Sequence, residues 1–189
     1  MLQTQSKGGG FRRLAGFRRR EDGTVAVEFA LVLAPFLFLL SGLVEIGFML
    51  QTGAVLQNAT DEAGRLIRTG QVTTRTGTSL MDASTFISRV CAQVPTLTSC
   101  QAAVSIDVRS STSFSNLSNV MPNPINVGPA ILNGPRTIDF MPGGANRTTS
   151  VIITYDWEFA LPLMHAFGNV FGGSARRLQG ITIFRNEPF

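Results

Sequence analysis

The stretch that decides the fold is RRREDGTVAVEFALVLAPFLFLL at residues 18–40, where a block of arginines gives way to an apolar run. Residues 29–50 form a hydrophobic stretch of 22 residues that contains one charged side chain, Glu45. At about 1.5 Å per residue, a helix of this length spans roughly 33 Å, enough to cross a bilayer core. A buried core helix is the alternative, but the run is too long and too uniformly apolar for one. The sequence therefore predicts a membrane span at 29–50.

The basic residues are concentrated before this run. Residues 1–22 hold six basic and two acidic residues and the remainder holds ten of each, so the net charge of +4 belongs to the N-terminal segment. A neutral body argues against nucleic-acid binding, which needs a basic face on the folded domain. No basic residue follows Leu50 before Arg65. The positive-inside rule therefore predicts a cytoplasmic N-terminus and a head outside the cytoplasm.

Three kinds of export signal begin with basic residues followed by an apolar run. A secretory signal has a shorter apolar core and a small-residue cleavage site after it, and residues 51–66 offer no convincing site. A twin-arginine signal is suggested by GFRR at 10–13 and 16–19, but it also needs a shorter core. The third kind is cut before the apolar run and leaves that run on the mature chain.

The segment GTVAVEF at 23–29 resembles the processing site of type IVb prepilins and pseudopilins of the Flp/Tad system. That site has a glycine, four small or apolar residues, a glutamate and an aromatic residue before a long apolar helix. The apolar run that follows here, and ITIFRNEPF at 181–189, are similar to TadE-like minor pilins. One departure is Phe29, which stands where major pilins usually have Tyr.

The resemblance implies how the N-terminus is processed and used. A membrane prepilin peptidase would cut between Gly23 and Thr24, so that residues 1–23 are a cytoplasmic leader. Glu28, beside Phe29, would be an assembly contact whose carboxylate neutralises the Thr24 amine of a neighbouring subunit in apolar surroundings. The alternative is a Glu28 that only lies at the membrane surface.

The rest of the chain predicts an α+β protein, a long N-terminal helix carrying a small pilin-like head. The helix covers 24–69, with a transmembrane half and an amphipathic half whose inner stripe starts at Leu56. The head covers 70–189 and has one short helix and an antiparallel sheet of about three strands. The helix is expected at 79–93 with Leu80, Phe86 and Val90 inward, the strands at 102–110, 150–159 and 176–186, a long loop at 110–135, and a helical turn within 161–173.

The two cysteines, Cys91 and Cys100, predict one disulfide, because an even pair at short spacing outside the cytosol normally forms a bond. The bond would link the short helix to the following strand. Two cysteines and a distant His165 do not make a zinc site, and neither cysteine has a basic neighbour that would activate it. The sequence predicts no catalytic residue, cofactor or metal.

Two further pairs of charged residues are candidates for function. Asp156 and Glu158 share one face of the second predicted strand, and paired carboxylates do acid–base work when a cleft gives them different environments. An exposed polar face is the simpler interpretation. Arg185 and Glu187, near the C-terminus, are either salt-bridge or docking residues or part of a surface tail.

Three functions follow from these patterns. The leading hypothesis is a minor pilin-like structural subunit for assembly of an Flp/Tad adhesive pilus. Its expected partners are membrane lipid, the prepilin peptidase and other pilin subunits. Its expected place is the inner membrane, with the head periplasmic, or an extracellular pilus. The alternatives are a permanently anchored periplasmic scaffold of the same apparatus and a membrane-tethered hydrolase using Asp156 or Glu158.

Overall fold

The structure, a computed structural model, describes residues 22–120 except 96 and 98, residues 138–168 and residues 175–189. The chain divides into two units, one ending at Leu43 and one comprising Val44–Phe189. The elements in chain order are α1 Asp22–Arg68, α2 Ala83–Ala92, α3 Cys100–Ala103, β1 Val104–Ser111, α4 Phe114–Val120, β2 Ile138–Phe140, β3 Thr148–Glu158, a 3₁₀ helix Pro162–Phe167 and β4 Ala175–Arg185.

The first element, α1, is one continuous helix of 47 residues and confirms the long N-terminal helix that the sequence predicts. The stripe predicted for its second half is buried, with Leu56, Ala59 and Ala63 each at most 2 % exposed. The helix ends at Arg68, and Gly70 follows in the turn with a φ of 75°, which suits a residue without a side chain. There the Gln71 N–H donates to the Leu66 carbonyl at 3.0 Å, which closes the last turn.

The described residues of the head form a four-stranded mixed sheet with the strand order β2-β1-β3-β4. β3 pairs antiparallel with both β1 and β4, whereas β2 pairs parallel with β1. The α+β class is confirmed, but the prediction of an antiparallel sheet of about three strands is wrong at one edge. β2 has only three residues, which is too short to show an alternating pattern in the sequence.

Helices α1 and α2 supply the core on one face of the sheet. This core contains Leu56 of α1, Phe86 of α2, Ile106 of β1 and Ile153 of β3, and each is at most 1 % exposed. The Phe86 ring also lies against Phe140 of β2, with the ring centroids 4.9 Å apart. Burying each such side chain contributes about 1.5–3 kcal/mol, so this face provides much of the stability of the head.

The second face of the sheet is also covered, although the sequence pattern assigned outward-facing side chains to it. Ile152 and Thr154 of β3 are both 0 % exposed. Helix α4 packs against β1 and β3 and buries Leu117 to 1 %. The prediction of a loop at 110–135 is therefore wrong where the chain forms the end of β1 and helix α4. Residues 121–135 of the predicted loop lie outside the described part of the chain. Three apolar residues in a seven-residue helix are too few to establish a period.

Helix α2 is shorter than the predicted helix at 79–93. Phe86 and Val90 are buried as predicted, but Leu80 precedes the helix and is 63 % exposed. The helix starts after Asp82, whose extended backbone is typical of an N-cap residue. The hydroxyl groups of Ser84 and Thr85 both donate hydrogen bonds to the Asp82 carboxylate. These bonds, of which the one from Ser84 has the larger effect, lower the pKa of Asp82 to about 2.

Cys91 and Cys100 are joined by a disulfide bond, with their Cα atoms 5.7 Å apart. The bond connects the last turn of α2 to the first residue of α3, and α3 leads directly into β1. It therefore links two helices, and not helix to strand as the sequence predicted. In the loop-entropy description, closing a loop of this length stabilises the fold by about 2–3 kcal/mol.

Two glycines allow α1 to lie directly on β4. A side chain at Gly180 of β4 would overlap the Thr60 hydroxyl and fall 2.9 Å from the Leu56 carbonyl oxygen. A side chain at Gly64 of α1 would fall 2.7 Å from the Thr182 methyl group. Interiors are packed too closely to absorb such overlaps without displacement. The helix and the strand can be neighbours at this distance only because both positions are glycine.

The Gln57 side chain completes this contact. Its Oε1 accepts a hydrogen bond from the Ile181 N–H at 3.1 Å, and its Nε2 donates to the Ile181 carbonyl at 3.1 Å. β4 stands at the edge of the sheet, so these backbone groups have no partner strand. The Gln57 amide replaces that strand at one position.

We predict that Gly180→Ala destabilises the head by about 1–3 kcal/mol, the usual cost of overpacking. The added methyl group overlaps Thr60 and the backbone of α1, so helix and strand must separate. The measurement is urea unfolding of the full chain in detergent. Gly53→Ala is the matched control, because nothing lies within 4 Å of that Cβ position and alanine favours the helix. An unchanged midpoint for Gly180→Ala would contradict the packing of α1 on β4.

Candidate membrane and assembly segment

The part of α1 that belongs to the first unit, residues 22–43, exposes apolar side chains on every side. The helix is long and apolar enough to cross a membrane, judged by length and composition. In water this surface would be unfavourable by about 25 cal/mol per Å², so it needs an apolar environment. Eleven large apolar side chains of this unit are 38–71 % exposed: Val25, Val27, Phe29, Leu31, Val32, Phe36, Leu37, Phe38, Leu39, Leu40 and Leu43.

Polar groups inside this segment are few. The Ser41 hydroxyl donates to the carbonyl oxygens of Leu37 and Phe38, both at 2.9 Å, so the helix itself satisfies it. Glu28 is the only charged residue between Gly23 and Leu43. It is exposed and has no hydrogen-bond or ion-pair partner among the described residues. Its carboxylate is therefore the one charged side chain of the segment, and an apolar environment would leave it unsatisfied.

The predicted cleavage point lies in the first turn of α1, which begins at Asp22. Both Gly23 and Thr24 are exposed, and a side chain added at Gly23 would meet nothing within 4 Å. The packing of the described residues therefore places no restriction on position 23. A requirement for glycine there would come from a partner that binds this segment.

Glu45 is a buried carboxylate whose contact the sequence did not reveal. It is 9 % exposed, and its Oε1 accepts a hydrogen bond from the Ala160 N–H. Its Oε2 is buried and has no partner in the part of the chain that the structure describes. The bond attaches α1 to the segment that follows β3. The only signal in the sequence is an acidic residue inside an apolar run, which marks a residue with a specific partner but does not identify that partner.

Asp156 and Glu158 are not a pair of free carboxylates. Asp156 accepts two hydrogen bonds from Arg177, from Nε at 2.8 Å and Nη2 at 2.9 Å, and the two side chains are only 4 % and 8 % exposed. Glu158 is exposed at the end of β3. The interpretation of both as an exposed polar face is wrong for Asp156, because β4 supplies a cation that its own strand could not reveal. The hydrolase hypothesis needs both carboxylates in one cleft, and this arrangement does not provide it.

The C-terminal residues pack on the head. Glu187 forms an exposed ion pair with Arg68 at 3.2 Å, and its N–H donates to the Arg68 carbonyl at 3.0 Å. The Arg185 Nε donates to the Asn146 carbonyl at 3.2 Å. Exposed ion pairs contribute little, typically about 0–1 kcal/mol. Both candidate docking residues thus have partners within their own chain.

The strongest contact of this tail is made by Asn186, which sequence reasoning missed. It is 2 % exposed, and its Nδ2 donates to the carbonyl oxygens of Pro142 at 3.2 Å and Gly144 at 2.8 Å. Its Oδ1 accepts from the Thr149 hydroxyl at 3.1 Å. The Phe189 ring occupies the space beside Gly70. The tail therefore holds together the end of α1 and the turn before β3.

An exposed apolar helix that continues into a small α+β head is the arrangement expected of a membrane-anchored, pilin-like protein. The TadE-like protein family matches residues 23–65, which confirms the resemblance predicted from the sequence. The matched segment lies within α1 and does not include the sheet. The match implies a pilin-like protein associated with the Tad pilus, from a family that is structural and not enzymatic. No curated protein and no solved structure gives a significant match to the chain.

We predict that Asp156→Asn destabilises the head by about 3–5 kcal/mol, because it removes the carboxylate charge that faces the buried guanidinium of Arg177. Glu158→Gln, on the same strand but exposed, should change stability by less than about 0.5 kcal/mol. Thermal unfolding of both variants in detergent is the measurement. Equal effects of the two substitutions would show that Asp156 is not held in a buried pair.

Proposed function

We propose that this chain is a minor pilin-like structural subunit for assembly of an Flp/Tad adhesive pilus. The observation that carries the proposal is the exposed apolar surface of α1 up to Leu43, within the segment that matches the TadE-like family. Lipid hydrocarbon and the apolar helices of other subunits offer such a surface nearly the same environment. One helix can therefore serve as a membrane anchor before assembly and as part of a subunit interface after it.

The charge distribution and the disulfide support a head outside the cytoplasm. Six basic residues precede the apolar segment and none lies between Leu50 and Arg65, which favours a cytoplasmic N-terminus in the inner membrane. The head would then lie in the periplasm, an oxidising compartment where the Cys91–Cys100 bond can form and persist. Membrane lipid, the prepilin peptidase and other pilin subunits are the partners that this proposal requires.

Glu28 is the charged residue whose surroundings matter most in the proposed assembly. An exposed carboxylate on an apolar helix is costly in hydrocarbon unless a cation pairs with it. Cleavage after Gly23 would create such a cation, the amino group of Thr24, four residues before Glu28 in each subunit. In the proposed mechanism this amine of one subunit pairs with Glu28 of the next, so that processing prepares the chain for assembly.

We predict that the mature chain starts at Thr24 and that Gly23→Val leaves the precursor uncut. Valine has room at position 23, so a loss of cleavage would reflect recognition by the peptidase and not a disturbed fold. N-terminal sequencing of the membrane-extracted protein measures this. Gly47→Val, another α1 glycine with open space around it, should be cut normally. A mature chain that begins after residue 50 would contradict the proposal and indicate an ordinary secretory signal.

We predict that the Glu28→Gln variant is inserted and cleaved but does not join the pilus. The amide removes the charge and leaves the partner amine unpaired in apolar surroundings, at a cost of roughly 3–5 kcal/mol. Membrane fractionation, together with counts of surface fibres and probing of sheared fibres for the chain, is the measurement.

Two comparisons make the Glu28 experiment decisive. Glu28→Asp keeps the charge and should retain part of the assembly that Glu28→Gln loses. Normal incorporation of Glu28→Gln would show that Glu28 is not an assembly contact. Absence of the unmodified chain from sheared fibres, with fibre formation still dependent on it, would favour the anchored scaffold instead.

A further inference from the structure

The 3₁₀ helix Pro162–Phe167 presents two large apolar side chains outward. Leu163 is 59 % exposed and Phe167 is 57 % exposed, although the helix has only six residues. The sequence predicted a turn of helix here but assigned no function to it. Two large exposed apolar side chains on so short a segment make it a candidate for a surface that is covered in the working protein.

Hydrogen bonds connect the start of this helix to α1. The Ala160 N–H donates to Glu45 of α1, and the His165 Nε2 lies 3.1 Å from the Phe159 carbonyl oxygen. The Gly168 N–H donates to the His165 carbonyl at 3.1 Å and closes the helix. Five steps of about 2 Å within the 3₁₀ helix and two extended steps of about 3.5 Å before it place Phe167 within roughly 17 Å of Ala160. The exposed side chains are therefore tied to the position of Glu45.

The part of α1 around Glu45 carries exposed apolar side chains of its own. Val44, Phe48 and Leu50, in the same structural unit as the 3₁₀ helix, are 52 %, 58 % and 64 % exposed. Residues 44–50 span about 9 Å along the helix axis. This matches the depth of roughly 5–10 Å to which interfacial apolar side chains enter a bilayer surface.

We propose that the 3₁₀ helix is a second membrane contact, with Leu163 and Phe167 inserted among the lipids at the bilayer surface. This inference rests on the proposed membrane anchoring of α1. If the apolar part of α1 lies in hydrocarbon up to Leu50, the segment bonded to Glu45 must lie at the bilayer surface. Lipid is the occupant that would cover both apolar sets at once, because the Ala160–Glu45 bond ties the 3₁₀ helix to the part of α1 that carries Val44, Phe48 and Leu50.

Polar groups beside the 3₁₀ helix suit the headgroup layer. Arg176 is exposed, and its Nη1 donates to the Phe167 carbonyl at 3.5 Å, which places a guanidinium where lipid phosphates would be. Glu158 is exposed on the neighbouring strand, so this end of the sheet has no clear excess of positive charge. Insertion of the apolar side chains, and not charge, provides the attraction. A head attached at two points cannot swivel freely, so its orientation is set before assembly.

Tryptophan fluorescence in liposomes tests this proposal. Trp157 is the only tryptophan, so in a Trp157→Phe background each added tryptophan is a single reporter. Leu163→Trp and Phe167→Trp are the test variants, and Leu80→Trp is the matched control. Leu80 is 63 % exposed and bonds to Val72, beyond the far end of α1. In liposomes with brominated acyl chains, we expect quenching of both test variants to be several times that of Leu80→Trp.

Each outcome has one meaning, provided that flotation of the full chain with liposomes is scored first. Flotation with strong quenching supports the proposal. Flotation with quenching no greater than at Leu80→Trp overturns it and leaves the anchoring intact. Blue-shifted emission that bromine does not change would mean cover by protein, such as a second copy, and also overturns it. A chain that does not float contradicts the anchoring itself, and the second contact with it.

A second measurement avoids the substitutions, since Trp157→Phe could disturb the fold. Hydroxyl-radical oxidation of the unmodified chain in liposomes should modify Phe167 much more slowly than Phe114, which is 60 % exposed on α4. The two phenylalanines are nearly equally exposed in the structure, so a difference measures cover by the bilayer. Equal oxidation of the two would overturn the proposal.

Discussion

The contact between α1 and β4 is the interaction on which the rest of the head depends. Gly64 and Gly180 remove the side chains that would separate the helix from the strand, and Gln57 bonds to the backbone of the strand edge. This contact sets the face of the sheet that receives the buried stripe of α1. Within the sheet, β3 lies between β4 and β1. The remaining elements then cover the surfaces that this arrangement leaves open.

Polar residues inside the head serve its architecture. Asp156 pairs with Arg177 between β3 and β4, and Asn186 bonds to the turn that precedes β3. Each joins segments that are distant along the chain. Buried polar groups of this kind must be satisfied, because an unpaired one costs about 1–3 kcal/mol or more. Their use as internal connectors agrees with a structural subunit and leaves these carboxylate and amide groups engaged.

Glu45 lies within the apolar run of α1 and is hydrogen-bonded to the segment that follows β3. Burying the Glu45 carboxylate in lipid without a partner would be unfavourable, but the backbone N–H of Ala160 donates a hydrogen bond to it. The same bond ties the segment before the 3₁₀ helix to α1. Beyond Glu45, Met49 and Leu56 are buried in the head, whereas Phe48 and Leu50 stay exposed on the other side of the helix.

Much of the fold could be predicted from the sequence where the pattern is long. The continuous apolar run of α1, its later one-sided stripe and the 23–29 segment indicated a long helix and the TadE-like resemblance, and the structure and the family match confirm both. Alternation likewise predicted β1 and β3, and the sequence also predicted the last strand, β4. Such patterns are local, because a helix or strand repeats its environment every few residues.

The candidate site was predicted only in part, and the reason is the distance between its components along the chain. Glu28 and Gly23 were chosen from a local motif, and their roles stay predictions. The tertiary structure alone decided that Glu45 bonds to Ala160, that Asp156 is buried against Arg177 and that a three-residue strand pairs parallel with β1. The sequence by itself determined which segments are apolar and periodic. Which of them meet was decided by packing, since a contact between residues 115 positions apart leaves no period in the chain for either partner to show.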